Sequence, residues 1–290
     1  MARVIVSCIK TASDMDINTI RAIERPRRPA DVTHWRPGLA WLSGGTWLFS
    51  EPQPNLDTLL DLRAFDWPSL AVTADGLEIA ATARIRELDR FVPPPEWVAG
   101  PLLSLCCRAL LMSFKVANEA SVGGNICMSL PAGAMISLTV ALEGTYTLWP
   151  RDGKERTLPA LGFVTGNHAN VLAPGELLRS IHLPASALAR NFAFRRSSLV
   201  HQGRSATLVV GTSRRGTDLL LTITAATPRP LQLRFDHMPD AATLRRAIDA
   251  AVEQDGFFDD VNGAPAYRRH LTYHFAEEIR AELAALESRA

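Results

Sequence analysis

Cysteine is scarce in this chain. Four occur, Cys8, Cys106, Cys107 and Cys127, and they form neither a C-x-x-C pair nor any iron–sulfur spacing. A cluster held by this chain is thereby excluded, and buried, reduced thiols are expected. An excess of one charge is also lacking: 31 Lys and Arg stand against 30 Asp and Glu in 290 residues, a formal net charge of +1. Nucleic-acid and anionic-membrane binding both draw on surplus basic side chains, so neither is expected. No apolar run reaches the roughly 20 residues that span a bilayer. The longest candidate, Leu102 to Phe114, is interrupted by Arg108. At the amino end Val4, Ile5 and Val6 meet Lys10 and Asp14 too soon for a signal peptide, which points to the cytoplasm. The seven histidines make no H-E-x-x-H, so no protein-held catalytic metal is expected. Also missing are G-x-G-x-x-G and the Lys-Ser/Thr ending of a P-loop. A nucleotide bound here would therefore not sit in a Rossmann frame.

What is present describes a well-filled core. Hydrophobic residues make up 47% and charged residues 21%, a globular balance. The length suits two domains, or one large domain with subdomains. Residues 1–20 carry no clear pattern and read as a strand with a turn or as a loose N-terminal extension. Arg25-Pro26-Arg27-Arg28-Pro29 reads as a connector. Strands are expected at Gly38–Leu42, Thr58–Leu62 and Gly76–Ala81, the last from its alternation. Pro93-Pro94-Pro95 marks a break, after which an apolar stripe predicts one helix from Pro101 to about Ala117. Thr145–Trp149 with a turn at Arg151–Lys154 reads as a hairpin.

From Ala185 the pattern changes. Strands are expected at Asn191–Arg196, Thr207–Gly211, Leu219–Thr224 and Leu231–Phe235, then helices at Asp240–Val252 and Arg269–Leu286. Asp240 or Thr243 is the candidate cap of the first helix. Strands first and helices last describe an α+β arrangement.

Two glycine pairs stand out, in Leu42-Ser43-Gly44-Gly45-Thr46-Trp47 and Ala120-Ser121-Val122-Gly123-Gly124-Asn125. Paired glycines let successive backbone N–H groups converge and let the chain approach a ligand closely. Such a concavity binds an anion, a diphosphate for example, without a charged side chain. Ordinary turn duty explains a glycine pair equally well. With 18 glycines, chance alone yields about one pair.

The order of segments resembles the FAD-binding medium subunit of the molybdenum hydroxylases, the xanthine dehydrogenase and carbon monoxide dehydrogenase group. Leu42–Leu48 is similar to that family's A-G-G-T-D-L, and Leu59-Leu60-Asp61-Leu62-Arg63 follows it. Ala120–Asn125 matches A-[ST]-[IV]-G-G-N without a mismatch. Leu172-Ala173-Pro174-Gly175-Glu176-Leu177-Leu178, then Ile181–Pro184, looks like L-x-P-x-E-L-L…I-x-x-P. Gly263–Leu271 resembles the A-x-Y-R-x-x-L element of the C-terminal domain.

The resemblance implies two small α/β lobes gripping an extended FAD, followed by a C-terminal antiparallel sheet with helices. The lobes would cover about 21–75 and 76–184, within an FAD-binding domain of 21–184 and a flavoprotein domain of 185–290. Backbone amides of Leu42, Ser43, Gly44, Gly45, Thr46 and Trp47, and of Ser121, Val122, Gly123, Gly124 and Asn125, would hold the two phosphates and the adjoining sugar. Leu172 would lie against the isoalloxazine edge, although a core leucine looks the same in sequence. Arg195 falls where the family often carries a Lys near the flavin, although a surface arginine also fits. The implied role is electron transfer. A molybdopterin-binding large subunit would oxidise the substrate, and a 2Fe-2S small subunit would pass electrons to FAD here and on to an acceptor. No side chain of this chain need act as acid, base or nucleophile.

Four departures stand against the family pattern. Trp47 replaces the Asp of A-G-G-T-D-L, and Ala134 replaces an Asp that contacts the adenosine ribose. Val116-Ala117-Asn118 lacks the Arg of I-R-N, and Leu199-Val200-His201-Gln202-Gly203 replaces R-R-x-x-D. They keep open a structural subunit of the same fold with a degenerate flavin site. A free-standing flavin reductase of the UDP-N-acetylenolpyruvoylglucosamine reductase type would need a Ser or Glu acid, and nothing marks one.

Overall fold

Thr58–Asp61 is apolar along its length apart from its ends, and all four residues are buried. That is the pattern of a strand flanked on both sides. In the computed structural model, which describes residues 19–150, 154–201 and 203–286, it is the middle strand of a three-stranded parallel sheet. Its neighbours are β1 (Ala22–Glu24) and β2 (Leu39–Leu42), and Thr58–Asp61 is β3. Parallel strands cannot be joined by a tight hairpin. The chain leaving β2 must therefore cross over to enter β3, and the crossover begins with Ser43-Gly44-Gly45.

The second sheet has the order β4-β5-β10-β6-β7, antiparallel throughout. Its strands are β4 (Leu70–Thr73), β5 (Gly76–Ala80), β6 (Thr145–Trp149), β7 (Arg156–Pro159) and β10 (Leu177–Pro184). The hairpin expected after Thr145 is formed by β6 and β7, with residues 151–153 of its turn outside the described residues. Between β5 and β6 run α1 (Ile85–Arg90), α2 (Pro101–Arg108), α3 (Phe114–Glu119), α4 (Val122–Cys127) and α5 (Ala134–Ala141). A small ribbon of β8 (Val164–Gly166) and β9 (Ala169–Asn170) precedes β10, and α6 (Ala185–Leu188) follows it.

The single helix expected over Pro101–Ala117 is two. α2 stops at Arg108, and Ser113 starts α3 by accepting a hydrogen bond from Val116 N–H at 3.3 Å. A serine that offers its hydroxyl to the backbone favours a new helix start over continuation. Leu102, Leu103, Cys106 and Cys107 face the core, while the break turns Leu110 to Met112 toward a cavity.

The third sheet is β11 (Asn191–Ser197), β12 (Thr207–Ser213), β13 (Leu219–Thr224) and β14 (Leu231–Phe235), in sequential antiparallel order. Every residue of β12 and β13 is buried, because both faces of the sheet are covered. Leu208 and Val210 join the core beneath α5. Val209 joins the other face, where α7 (Ala241–Val252) and α8 (Pro265–Ala284) pack. Asp240 caps α7 by accepting from Thr243 N–H at 2.6 Å. α5 bridges the second and third sheets: the Thr139 hydroxyl lies 2.6 Å from that of Tyr146 on β6, the Ser137 and Thr224 hydroxyls lie 2.6 Å apart, and Gln232 Nε2 donates to the Val140 carbonyl at 2.7 Å.

Mixed helices and sheets ending in an antiparallel sheet with helices agree with the expected fold class. Most of the expected N-terminal extension lies outside the described residues. No helix among the described residues is long and apolar enough to cross a membrane. Cys106 and Cys107 are buried free thiols and Cys127 is a half-buried one, while Cys8 lies outside the described residues.

Candidate functional site

The first glycine loop is a bend whose donors point nowhere inside the protein. Gly45 has φ +70°, a conformation glycine adopts at no steric cost. Phe49 N–H bonds to the Gly45 carbonyl at 2.9 Å, and Ser50 N–H to the Trp47 carbonyl at 2.9 Å, curling the segment on itself. Between them, the N–H groups from Gly44 to Leu48 take no acceptor among the described residues. Half-buried amides in this state are rare unless water or a ligand meets them. Successive free N–H groups in a tight bend make a seat for an anion.

The second glycine segment is built differently. Val122 N–H bonds to the Ala83 carbonyl at 2.8 Å, and Gly123 N–H to the Ala81 carbonyl at 2.9 Å. Ser121 Oγ accepts from Gly124 N–H at 3.1 Å, and Asn125 N–H bonds to the Ser121 carbonyl at 3.1 Å. The expectation that amides throughout this segment grip the phosphates therefore needs correcting. Those of Val122 and Gly123 dock α4 against the strand-to-helix turn after β5, and those of Gly124 and Asn125 are taken by Ser121 at the start of α4 itself. Gly123 is a close-approach residue, since a Cβ there would fall 2.5 Å from that of Ala81. Asn125 Oδ1 accepts from Met135 N–H at 3.1 Å and so satisfies a donor in the first turn of α5, while its Nδ2 takes no acceptor among the described residues.

The two segments nevertheless meet. A Cβ built on Gly44 would lie 1.9 Å from the carbonyl oxygen of Glu119, two residues before Ser121. Both segments wall a cavity of about 870 Å³, within the roughly 300–1,000 Å³ usual for ligand pockets. Leu42, Ser43, Gly44, Gly45, Thr46, Trp47, Ser121, Gly123, Gly124, Asn125 and Leu172 all line it. Val122 does not, being fully buried behind the wall. Leu110, Met112, Val116 and Leu130 add apolar surface. Arg195 is absent from the lining. It lies on β11 and bonds Glu278 at 2.8 Å and Glu282 at 2.6 Å on α8, away from the cavity. Its neighbours in space are acids, which hold it in a partly exposed ion pair.

Against known families, residues 25–186 match the family described as FAD binding domain in molybdopterin dehydrogenase. The chain belongs to that family. A xanthine dehydrogenase of Oryza sativa subsp. japonica is 31% identical over 122 residues, 40% of this chain and 9% of that protein. The carbon monoxide dehydrogenase medium chain of Hydrogenophaga pseudoflava is 27% identical over 148 residues, 50% of this chain and 48% of that one. The match thus spans less than half of either relative. Among solved structures, quinoline 2-oxidoreductase from Pseudomonas putida 86 superposes with a TM-score of 0.75 at 18% identity, covering 92% of this chain and 97% of that one. Reconstituted CO dehydrogenase from Oligotropha carboxidovorans gives a TM-score of 0.77 at 19% identity, covering 91% and 98%. At such identity the likeness is one of fold.

FAD is the cofactor of this FAD-binding family, and the residues present fit it. The first loop offers free amides where a diphosphate needs donors, and side chains at Gly44 or Gly123 would close the junction on which the cradle is built. Gly124 faces the cavity; a Cβ there would meet only Ser121 Oγ, at 2.8 Å. Ala134 is the first residue of α5, fully buried and outside the lining, while Leu130 to Gly133 before it do line the cavity.

Several residues that line the cavity were given no role from the sequence, although Glu176 stands within the Leu172–Leu178 resemblance. Glu176 is buried and takes Arg156 Nε at 2.7 Å and Nη2 at 2.8 Å. This pairing outweighs burial and holds its carboxyl below the usual range. Arg268 is 1% exposed and donates to the Gly263, Ala206 and Ala225 carbonyls at 2.8, 2.5 and 2.5 Å, and also to Asp260. It was visible only as part of the Gly263–Leu271 resemblance. His168, in a turn with φ +57°, and Arg204 carried no motif at all.

Proposed function

We propose that this chain is the FAD-carrying electron-transfer subunit of a cytoplasmic molybdopterin-dependent dehydrogenase or hydroxylase, with 21–184 as its FAD-binding domain and 185–290 covering the site. A molybdopterin-binding large subunit and a 2Fe-2S small subunit are its partners. The observation that carries the reading is the cavity in which both glycine segments meet, with free amides along Gly44 to Leu48. Bound FAD supplies the redox chemistry, accepting and releasing electrons. The chain's own residues hold and orient it. The first loop meets the diphosphate, Leu172 and the Leu110–Val116 wall keep water from the ring, and Glu176 fixed by Arg156 keeps the β9–β10 turn in place. The existence of a relative named a medium chain supports partners of this kind.

A second reading, a structural subunit with a degenerate flavin site, is favoured by Trp47 projecting into the cavity and by Ala134 lying outside it. Affinity purification from the native source separates the two. Flavin, iron and molybdenum travelling with the chain and two further polypeptides is the expected result. A complex of the same polypeptides with iron and molybdenum but no flavin would leave the structural reading standing instead.

A further inference from the structure

The indole of Trp47 is a point where all three parts of the chain meet. Trp47 comes from the crossover between β2 and β3. The His168 ring, from the β8–β9 turn, lies 5.8 Å away and tilted by 47°. The Arg204 guanidinium, from the loop between β11 and β12, lies 5.7 Å from the indole centroid. All three side chains line the cavity.

Arg204 differs from every other charged group there. Glu176 is paired with Arg156, and Asp260 with Arg268, whose guanidinium is already bonded to three carbonyls. Among the described residues, Arg204 and Arg268 are the only Lys or Arg in the lining, and Arg204 has neither an acidic partner nor a hydrogen-bond acceptor there. The loop that presents it is held firmly: Arg196 Nε donates to Ser205 Oγ at 2.7 Å and Nη2 to the Gly203 carbonyl at 2.5 Å. A half-buried guanidinium with idle donors lies against the same loop whose amides are idle.

We propose that Arg204 is a further cofactor-binding residue, a cation that closes over the diphosphate seated on the amides of Gly44 to Leu48, with Trp47 as its platform. This rests on the reading of the cavity as the FAD site. Backbone amides offer only partial charge, whereas a diphosphate brings two full negative charges. A guanidinium held against an aromatic ring by cation–π attraction keeps its N–H groups free for a bidentate anion. An acid at position 47 would occupy those N–H groups, and an indole leaves them available. The tryptophan that breaks the family pattern thus exchanges a side chain that competes for Arg204 with one that orients it.

Titration calorimetry on the full chain tests this, using FAD, ADP and adenosine as probes. The last two share a half of the cofactor and differ in the diphosphate. For Arg204→Ala the expected result is FAD and ADP binding weakened about 10- to 100-fold, the worth of one charge-assisted contact, with adenosine unchanged. Arg204→Lys should recover part of the loss, and Trp47→Phe should keep most of the affinity. Thermal melts of each variant check that the fold is kept. Arg204→Ala binding FAD as tightly as wild type, or losing ADP and adenosine in equal measure, overturns the inference alone. A wild-type chain that takes up neither FAD nor ADP overturns both this inference and the reading beneath it.

Discussion

Gly44 lies so near the backbone of Glu119 that a Cβ on it would come within 1.9 Å of the carbonyl oxygen. One hydrogen atom's worth of side chain is thus what lets the first glycine loop lean on the segment preceding the second. Gly44→Ala should force the two apart. Overpacking of this type costs about 1–3 kcal/mol, read as a lower urea midpoint, and FAD affinity should fall with it. Gly124→Ala makes the contrast. Its Cβ meets only the Ser121 hydroxyl that caps α4; losing that cap costs about 1 kcal/mol and a helical Ala gains about as much over Gly, so affinity should fall while the midpoint moves little. Equal urea midpoints for Gly44→Ala and wild type would show that the loops do not touch.

Asn125 contributes through α5. Its Oδ1 bonds to Met135 N–H, at the start of a helix whose eight residues are all buried. Asn125→Ala should cost about 1 kcal/mol, as cap losses do, and Asn125→Asp should retain most of that. Urea melts in the absence of FAD isolate this effect from any contact with cofactor.

Arg195 should be dispensable for the cofactor. Its partners Glu278 and Glu282 leave it a partly exposed ion pair, worth no more than about 1 kcal/mol. Arg195→Ala is expected to bind FAD within twofold of wild type. A tenfold loss would restore it to the flavin site.

Acid should unfold this protein through its buried carboxylates. Burial acts to raise Asp218, but hydrogen bonds from the Arg214 backbone and the Arg190 guanidinium outweigh it and leave its pKa below the ordinary value. Glu176 is lowered likewise by Arg156. A carboxyl with a depressed folded pKa lends stability that is full above its unfolded pKa and vanishes as pH falls through the folded one. The urea midpoint should hold steady above about pH 5 and decline progressively below it. Asp218→Asn should flatten that decline; an unchanged slope would remove Asp218 from the account.

Parts of this architecture were plain in the sequence and parts were hidden, for physical reasons. The four strands of the third sheet showed as apolar runs between turn residues, and Asp240 marked the start of α7. α5 did not show, because a helix buried on every side has no polar face and hence no periodicity to detect. The stripe from Leu102 onward ran on past Arg108 because Leu110 to Met112 are apolar for a different purpose, lining the cavity. The glycine segments were recognised by resemblance, yet sequence could not tell that one has free amides and the other has spent them. That depends on where Ala81 and Ala83 lie. Arg204 and His168 reach Trp47 only through tertiary folding, so no spacing announced them.

The central claim is that one FAD lies in the cavity where the glycine segments meet. Equilibrium titration of the full chain with FAD, followed by flavin absorbance, tests it most directly. Saturation at one FAD per chain, released intact on acid precipitation and weakened in Gly124→Ala, is the predicted result. A chain that stays colourless at saturating FAD, or that binds it identically in Gly124→Ala, would contradict it.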